Sequence, residues 1–357
     1  MRGLRRSLAL SMLVAVAVLA LSACGGSSKS ASSSVKAVDI ANTSGKPCSY
    51  RFAVITHGDN GSFWSVVYKG AKDGASDLGC HLTEVYGSQQ QGQAEPDDTA
   101  ENAQITDAIN QHVDGLVVSD HDPARMNPTL ASATRAGIPV VLTNAGCDST
   151  DIAATGALTC VGQPEQLAGQ ASGQRFAKLG ATNVLCVIHQ SGQNLLDRCN
   201  GIAQGLGVGS TCKTGSAPAH GPGCTELTLS TPNAASNPQQ AIGQVTAYLQ
   251  SHPSINAVMT LNNAIATAVV AAHPNGVKVA TFDTNAGVLA DIRNGSMAFV
   301  VDQQQYLQGY LPITILYLYK KHEGNTVGGG TPVPTGPLLV DKTNVSKVTA
   351  AIAAGDD

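Results

Sequence analysis

The amino-acid sequence predicts an α/β protein in which two doubly wound parallel-sheet lobes, both Rossmann-like, are joined by a hinge. Short β-branched runs alternate with amphipathic helical segments, a pattern typical of parallel strands linked by crossover helices. The alternation starts near Arg51 and begins again near Asn183. A length of 357 residues also favours two domains.

The predicted elements follow one another with short connections. The predicted strands are 51–56, 81–86, 115–119, 138–143, 183–188, 225–229, 256–260, 277–282 and 298–301. The predicted helices are 63–79, one beginning at 97, 128–136, 195–206, 238–250, 262–272, one beginning at 288, and 306–321.

The composition is that of a globular protein and argues against nucleic acid as a partner. Hydrophobic residues make up 43% of the chain and charged residues 13%, enough apolar surface for a large core. The net charge is −4, and no long basic run follows the first residues.

The N-terminal segment predicts export and a lipid anchor. Residues 1–23 hold three early arginines and an apolar run, Leu8 to Leu21, that is too short to span a bilayer. Leu21-Ser22-Ala23-Cys24 resembles the lipobox of bacterial lipoproteins, which implies a lipid on Cys24 and an extracytoplasmic, membrane-anchored protein. Residues 24–47 then form a Ser/Gly-rich tether. The alternative is an ordinary cleaved signal with an unrelated cysteine.

The cysteines other than Cys24 predict disulfides, because their number is even in an exported chain. The sequence does not determine their pairing, and sequential pairing is the simplest hypothesis. It joins Cys48 to Cys80, Cys147 to Cys160, Cys186 to Cys199, and Cys212 to Cys224. We expect no zinc site, since no Cys-x-x-Cys spacing occurs.

The strand 277–282 delivers Asp283 to a turn that begins Thr284-Asn285. In open α/β sheets, ligands bind beyond the carboxyl ends of the strands. Asp283 therefore either faces a ligand or caps the next helix.

Five short motifs occur in order between about Tyr50 and Val340. They are Ser62-Phe63-Trp64, Arg198-Cys199-Asn200-Gly201, Leu261-Asn262-Asn263-Ala264, Phe282-Asp283, and Val301-Asp302-Gln303 with Gly309 downstream. Together they resemble type I periplasmic solute-binding proteins of sugar ABC transporters, the ribose-binding-like group. The resemblance implies a monomer without cofactor or catalysis that passes a sugar or polyol to a permease. It also implies one lobe of residues 48–162 with 303–331, and another of 163–302 with 332–357.

The resemblance further implies a set of ligand-binding residues. They are Phe63, Trp64, Asn144, Arg198, Asn262, Asp283 and Gln303. Planar polar groups can grip adjacent hydroxyls, and an aromatic ring can cover a sugar's C–H face. The structural alternatives are helix caps for Asp283 and Asn262, a solvated helix position for Arg198, a hinge hydrogen bond for Gln303, and core packing for one aromatic.

The sequence departs from the ribose type after the fourth strand, where Asn144-Ala145 replaces Asp-Arg. This departure implies a smaller or differently oriented polyol. His57, Asp59 and His121 could supply replacement contacts, although we expect them to be solvated loop residues.

Two other functions stay open at this point. One is a receptor for another small polar ligand, such as a signalling furanose or a nucleoside. The other is an exported glycoside hydrolase, although no Gly-x-Ser-x-Gly, His-Glu-x-x-His or Walker A motif occurs. Asp120-His121-Asp122 lacks a spaced partner, so we expect no metal site.

Overall fold

A computed structural model describes residues 38–40, 48–58, 61–85, 87, 96–230, 237–272, 276–322, 324 and 329–354. These residues all belong to one compact unit that runs from Val35 to Asp357. The predicted signal peptide, Cys24 and nearly all of the predicted tether lie outside the described residues, as does Asp59.

Within the described residues the strands form two seven-stranded sheets. The first sheet contains β1 (Val38–Ile40), β2 (Arg51–Ile55), β3 (His81–Val85), β4 (Gly115–Val118), β5 (Val140–Thr143), β6 (Thr159–Gly162) and β13 (Val333–Pro334). The second contains β7 (Asn183–Ile188), β8 (Lys213–Thr214), β9 (Gly223–Thr228), β10 (Ala257–Thr260), β11 (Lys278–Phe282), β12 (Phe299–Asp302) and β14 (Leu338–Val340).

The first sheet has the order β1-β3-β2-β4-β5-β6-β13, and the second has the order β14-β12-β11-β10-β7-β9-β8. Only the edge strands β1 and β14 pair antiparallel within the described residues. The central strands are buried on both faces, as expected for parallel sheets covered by helices. The predicted fold class of two parallel-sheet lobes is therefore confirmed.

The helices cover both sheets. They are α1 (Ser62–Leu78), α2 (Asp98–Asn110), α3 (Pro123–Arg135), α4 (Ser149–Thr155), α5 (Glu165–Lys178), α6 (Gln193–Leu206), α7 (Pro238–Ser251), α8 (Asn263–Ala271), α9 (Ala286–Asn294), α10 (Gln305–Lys321) and α11 (Val345–Ala354). None of the helices in the described ranges is long and apolar enough to cross a membrane.

Within the described residues, the chain passes between the two sheets three times: after β6, after β12 and between β13 and β14. The predicted lobe limits put the last crossing between residues 331 and 332. The pairing of β13 with β6 keeps the chain with the first sheet as far as Pro334. The helix α10 follows the second crossing and returns to pack on β4, β5 and β6 of the first sheet.

Two sequence predictions were wrong in this region. The helix predicted over 128–136 begins at Pro123, because a proline costs nothing in the first turn, where its missing N–H has no partner. Pro128 then lies inside the helix. The sequence pattern predicts no strand or helix between residues 144 and 182, whereas the structure has α4, β6 and α5 there. The first two are too short for periodicity to reveal them.

The four sequential disulfides are confirmed. Cys48 is bonded to Cys80, Cys147 to Cys160, Cys186 to Cys199, and Cys212 to Cys224. The first two lie in the first lobe and the other two in the second. Each bond constrains the unfolded chain, and none of the four joins one lobe to the other.

The helices α5 and α6 approach so closely that glycine is required between them. A Cβ on Gly201 would lie 2.2 Å from the carbonyl oxygen of Gln166, and one on Gly169 would lie 2.1 Å from that of Arg198. This contact brings the first turn of α5 beside the middle of α6, and so sets Glu165 against Arg198.

We expect Gly201→Ala to lower the free energy of unfolding by about 1–3 kcal/mol, because the added methyl overpacks this interface. The matched control is Gly243→Ala in α7, where a Cβ would meet nothing within 4 Å. That change should raise stability by about 0.5–1 kcal/mol, the ordinary advantage of alanine inside a helix. Urea unfolding measures both, and equal effects would contradict the packing argument.

Candidate functional site

Polar side chains gather where the carboxyl ends of the strands meet the hinge. Asp283 follows β11, Gln303 follows β12, and Asn144 follows β5. Arg198 comes from α6 and Glu165 from the first turn of α5. Hydrogen bonds join four of these residues into a continuous chain, Glu165–Arg198–Gln303–Asp283.

Arg198 is the centre of this chain and is only 3% exposed. Its Nε and Nη2 donate to the two carboxylate oxygens of Glu165 over 2.6 and 2.7 Å, and Nη2 also donates to Oε1 of Gln303 over 3.0 Å. Its guanidinium lies 4.5 Å from the centre of the Phe282 ring. Burial would lower the pKa of Arg198, but the charge and hydrogen bonds of Glu165, together with the charge of Asp283, raise it overall. The alternative of a solvated helix residue is therefore wrong.

Asp283 adopts a left-handed backbone conformation, with φ at 72°, and is 6% exposed. Its Oδ1 accepts a hydrogen bond from Nε2 of Gln303. Burial raises the pKa of Asp283 to about 6, although the charge of Arg198 and the Gln303 hydrogen bond oppose the shift. The helix-cap alternative is wrong, since the cap of α9 is Asn285, whose Oδ1 accepts from the N–H of Val288.

Gln303 joins the acid to the arginine. Its amide nitrogen donates to Asp283 and its amide oxygen accepts from Arg198, so both ends of the side-chain amide are hydrogen-bonded. Its backbone carbonyl accepts from Nε2 of Gln308 in α10 over 3.1 Å. The hinge alternative for Gln303 is confirmed by these bonds, and its contact with a ligand stays a prediction.

Asn262 caps α8, because its Oδ1 accepts from the N–H groups of Ala264 and Ile265. This confirms the helix-cap role and leaves ligand contact as a prediction. The next residue, Asn263, reaches the other lobe: its Nδ2 donates to Oγ of Ser62 in α1 over 3.2 Å and to the carbonyl of Thr284 over 3.1 Å. The two lobes therefore touch through Ser62 and Asn263.

Asn144 is also left-handed, with φ at 64°, and is 5% exposed. Its Nδ2 donates to Oε1 of Gln308 over 3.1 Å, and Gln308 donates in turn to Gln303 and Thr335. The side chain is thus bound to the hinge helix α10 at one end. Its contact with a ligand stays a prediction.

One residue of the aromatic pair, Trp64, packs in the core, which is the structural alternative given for one aromatic. Trp64 is 8% exposed and packs against Tyr68, Val67 and the edge of His57. Phe63 is half-buried and lies at an angle to Trp64, with the ring centres 5.1 Å apart. Of the two, Phe63 is the more exposed residue.

His57 and His121 are not the solvated loop residues that we expected. His57 is 5% exposed and hydrogen-bonded to Oγ of Ser119, and burial, then the neighbouring His121, lower its pKa well below the usual value. His121 lies 2.7 Å from a carboxylate oxygen of Asp98 and 3.4 Å from one of Glu101. Burial would lower the pKa of His121, but these carboxylates raise it.

A cavity of about 800 Å³ opens between the two lobes, and of the polar chain Glu165 lines it while Arg198, Gln303 and Asp283 do not. Asp120 and Asn144 line it from the first lobe, Gln163 lines it from the crossing after β6, and Glu165 and Asp197 line it from the second lobe. Sequence reasoning missed Glu165 and Gln163 because β6 and α5 were not recognised. The Pro164-Glu165 pair, typical of a helix start, was the available signal.

Two lobes joined by three crossings, with buried polar groups at the strand ends between them, define a two-lobed binding protein. A family model described as a periplasmic binding protein domain matches residues 52–324. The chain belongs to this family, which confirms the resemblance predicted from the motifs and implies an extracytoplasmic location.

Several relatives are sugar-binding proteins. The xylose/arabinose-binding protein XylF of Sulfolobus acidocaldarius is 25% identical over 314 residues, which cover 83% of this chain and 72% of that protein. A carbohydrate transporter from Acidothermus cellulolyticus, solved in complex with myo-inositol, is 34% identical with a TM-score of 0.74, over 87% of this chain and 100% of that chain.

A solute-binding protein from Burkholderia graminis, solved with D-arabinose, has a TM-score of 0.68. The match covers 83% of this chain and 96% of that chain. Because the two sequences are only 21% identical, this likeness concerns the fold alone.

Proposed function

We propose that this protein captures a neutral sugar or cyclic polyol in the cleft between its lobes and delivers it to the permease of an ABC transporter. The observation that carries the proposal is the buried chain Glu165–Arg198–Gln303–Asp283 at the strand ends. A carboxylate and amides held this rigidly are suited to adjacent hydroxyl groups, whose donors and acceptors come in pairs. The relatives bound to myo-inositol or named for pentoses support the same ligand class.

The ligand set of the proposal is Phe63, Trp64, Asn144, Arg198, Asn262, Asp283 and Gln303. In it Asp283 and Arg198 hold hydroxyls on the second lobe, and Phe63 covers the apolar face of the ring from the first. Closure of the lobes over the ligand would be helped by the Ser62–Asn263 contact, which joins them across the cleft. We propose further that the protein acts as a monomer and without catalysis.

The experiment is a thermal-shift screen followed by titration calorimetry with myo-inositol, D-arabinose and D-xylose. A ligand that binds only the folded protein raises the melting temperature by linkage. Nucleosides and aryl glycosides are the comparison set. A shift with nucleosides alone, or release of aglycone from the glycosides, would contradict the proposal.

We also propose that a lipid on Cys24 anchors the protein to the outer face of the cell membrane. The motif Leu21-Ser22-Ala23-Cys24 supports this. We expect Cys24→Ala to move the protein from the membrane fraction to the soluble fraction, with Ser27→Ala as the matched control that stays anchored. Membrane retention of Cys24→Ala, or a mature N-terminus without acyl mass, would contradict it.

A further inference from the structure

Asp120 is a buried carboxyl group that does not belong to the polar chain described above. It lies just beyond the end of β4, is 1% exposed, and borders the cavity. Within the described part of the chain, neither of its carboxylate oxygens has a hydrogen-bond partner. Buried polar atoms are nearly always paired, so a carboxyl left unpaired beside a cavity indicates a bound partner from outside the chain.

The loop after β5 holds this carboxyl in place. A Cβ on Gly146 would lie 2.7 Å from the Cβ of Asp120, so only glycine allows the loop to pack on it. Asp120 therefore borders the cavity from a closely packed position.

A second residue with an unpaired oxygen borders the same cavity. Gln163 follows β6 and is 1% exposed. Its Nε2 donates to Glu165 over 2.7 Å, while its Oε1 has no partner among the described residues. Since Glu165 also binds Arg198, Gln163 connects the cavity to the polar chain that ends at Asp283.

The surroundings of Asp120 favour a neutral hydroxyl as its partner. Burial, then the charges of Asp151 on α4, Glu101 on α2 and Asp122 on the same loop, raise the pKa of Asp120 to about 7, and His121 opposes them. Near neutral pH the carboxyl is thus present in both forms, and it can either donate or accept. A hydroxyl group can do the same, whereas a protonated amine can only donate.

We infer that Asp120 and Gln163, just beyond the ends of β4 and β6, form a second contact set for the ligand, which takes hydroxyl groups of a neutral polyol. The inference rests on the proposed function and adds to it two residues and a requirement for ligand hydroxyls on the side facing β4 and β6. A ligand held from both lobes would also stabilise the closed arrangement.

The test is titration calorimetry of the wild type, Asp120→Asn, Gln163→Ala and Asp122→Asn with whichever of myo-inositol, D-arabinose and D-xylose the wild type binds. Asp120→Asn should weaken binding about tenfold to a hundredfold, since one charge-assisted hydrogen bond is lost. Gln163→Ala should weaken it about fivefold or more. Asp122→Asn, two residues away and bonded to Arg125 outside the cavity, should bind within about twofold of the wild type.

A pH series separates a direct contact from a general disturbance. If the ligand touches the carboxyl of Asp120, the ratio of wild-type to Asp120→Asn affinity should change between pH 5.5 and 8.5, through about pH 7, because the amide cannot titrate. A constant ratio, or wild-type affinity in both cavity variants, would overturn the inference while leaving the proposed function standing. If the wild type binds none of the three probes, both fail together. Gln163→Ala keeps the test decisive should Asp120→Asn not fold.

Discussion

Replacement of Asp283 by alanine is expected to weaken sugar binding about a hundredfold, or about 3 kcal/mol, and to leave the protein folded. The carboxylate is held at the end of β11 by Gln303 and lies within the field of Arg198. Facing a polyol, it can accept two hydroxyl donors, and alanine can accept none. Titration calorimetry with the sugar found in the screen measures the loss.

The matched control is Asp291→Ala in α9, a half-buried acid on the same lobe that the site does not include. It should bind as tightly as the wild type. A folded Asp283→Ala protein with wild-type affinity would show that the site lies elsewhere, because this residue is central to every form of the proposal.

The pH dependence of stability gives an independent check on Asp283. Its pKa is raised from 3.8 to about 6 in the folded protein, so the folded state holds the proton more tightly than the unfolded state. The stability that this provides is fully present below about pH 3.8 and is lost as the pH rises through about 6. Unfolding free energies of the wild type and Asp283→Asn, compared from pH 4 to 8 without sugar, should diverge across that window.

Replacement of Arg198 by alanine is expected to lower the free energy of unfolding by about 3 kcal/mol or more and to weaken sugar binding by a similar factor to Asp283→Ala. The change leaves Glu165 buried without its cation and removes the bond that orients Gln303. Chemical unfolding measures the first effect and titration calorimetry the second.

The matched control is Arg175→Ala, at the single arginine of the neighbouring helix α5, whose ion pair with Asp341 lies nearer the surface. Removing a partly exposed pair of this kind should cost about 1 kcal/mol or less. The double variant Arg198→Ala/Asp283→Ala should lose less binding energy than the two single losses together, because both residues act through Gln303. Equal stability of the two arginine variants, or strict additivity, would contradict the coupled chain.

Some of the site could be predicted from the sequence because its positions are tied to local patterns. A strand that ends in Phe282-Asp283, and another that ends in Asp302-Gln303, place both side chains at the carboxyl edge of a parallel sheet. The even cysteine count predicted disulfides but not their pairing; sequential pairing, the simplest hypothesis, is the one that the structure shows.

The remaining site residues depend on contacts that no local pattern encodes. Glu165 and Arg198 are 33 residues apart, and Ser62 and Asn263 are 201 apart. The burial of His57 likewise comes from Trp64 of α1 and from Ser119 and His121 of the loop after β4.

The amino-acid sequence by itself determined the alternation of strands and helices, the doubled α/β plan and the strand ends that carry Asp283 and Gln303. These features follow from hydrophobic periodicity and turn chemistry, which act over a few neighbouring residues. The tertiary structure alone decided which polar groups pair, which stay unpaired at the cavity and which histidines are buried. Those outcomes depend on the close packing of α5 on α6 and on the contacts between the two lobes. Both form only when segments that are distant in the sequence pack together and exclude water.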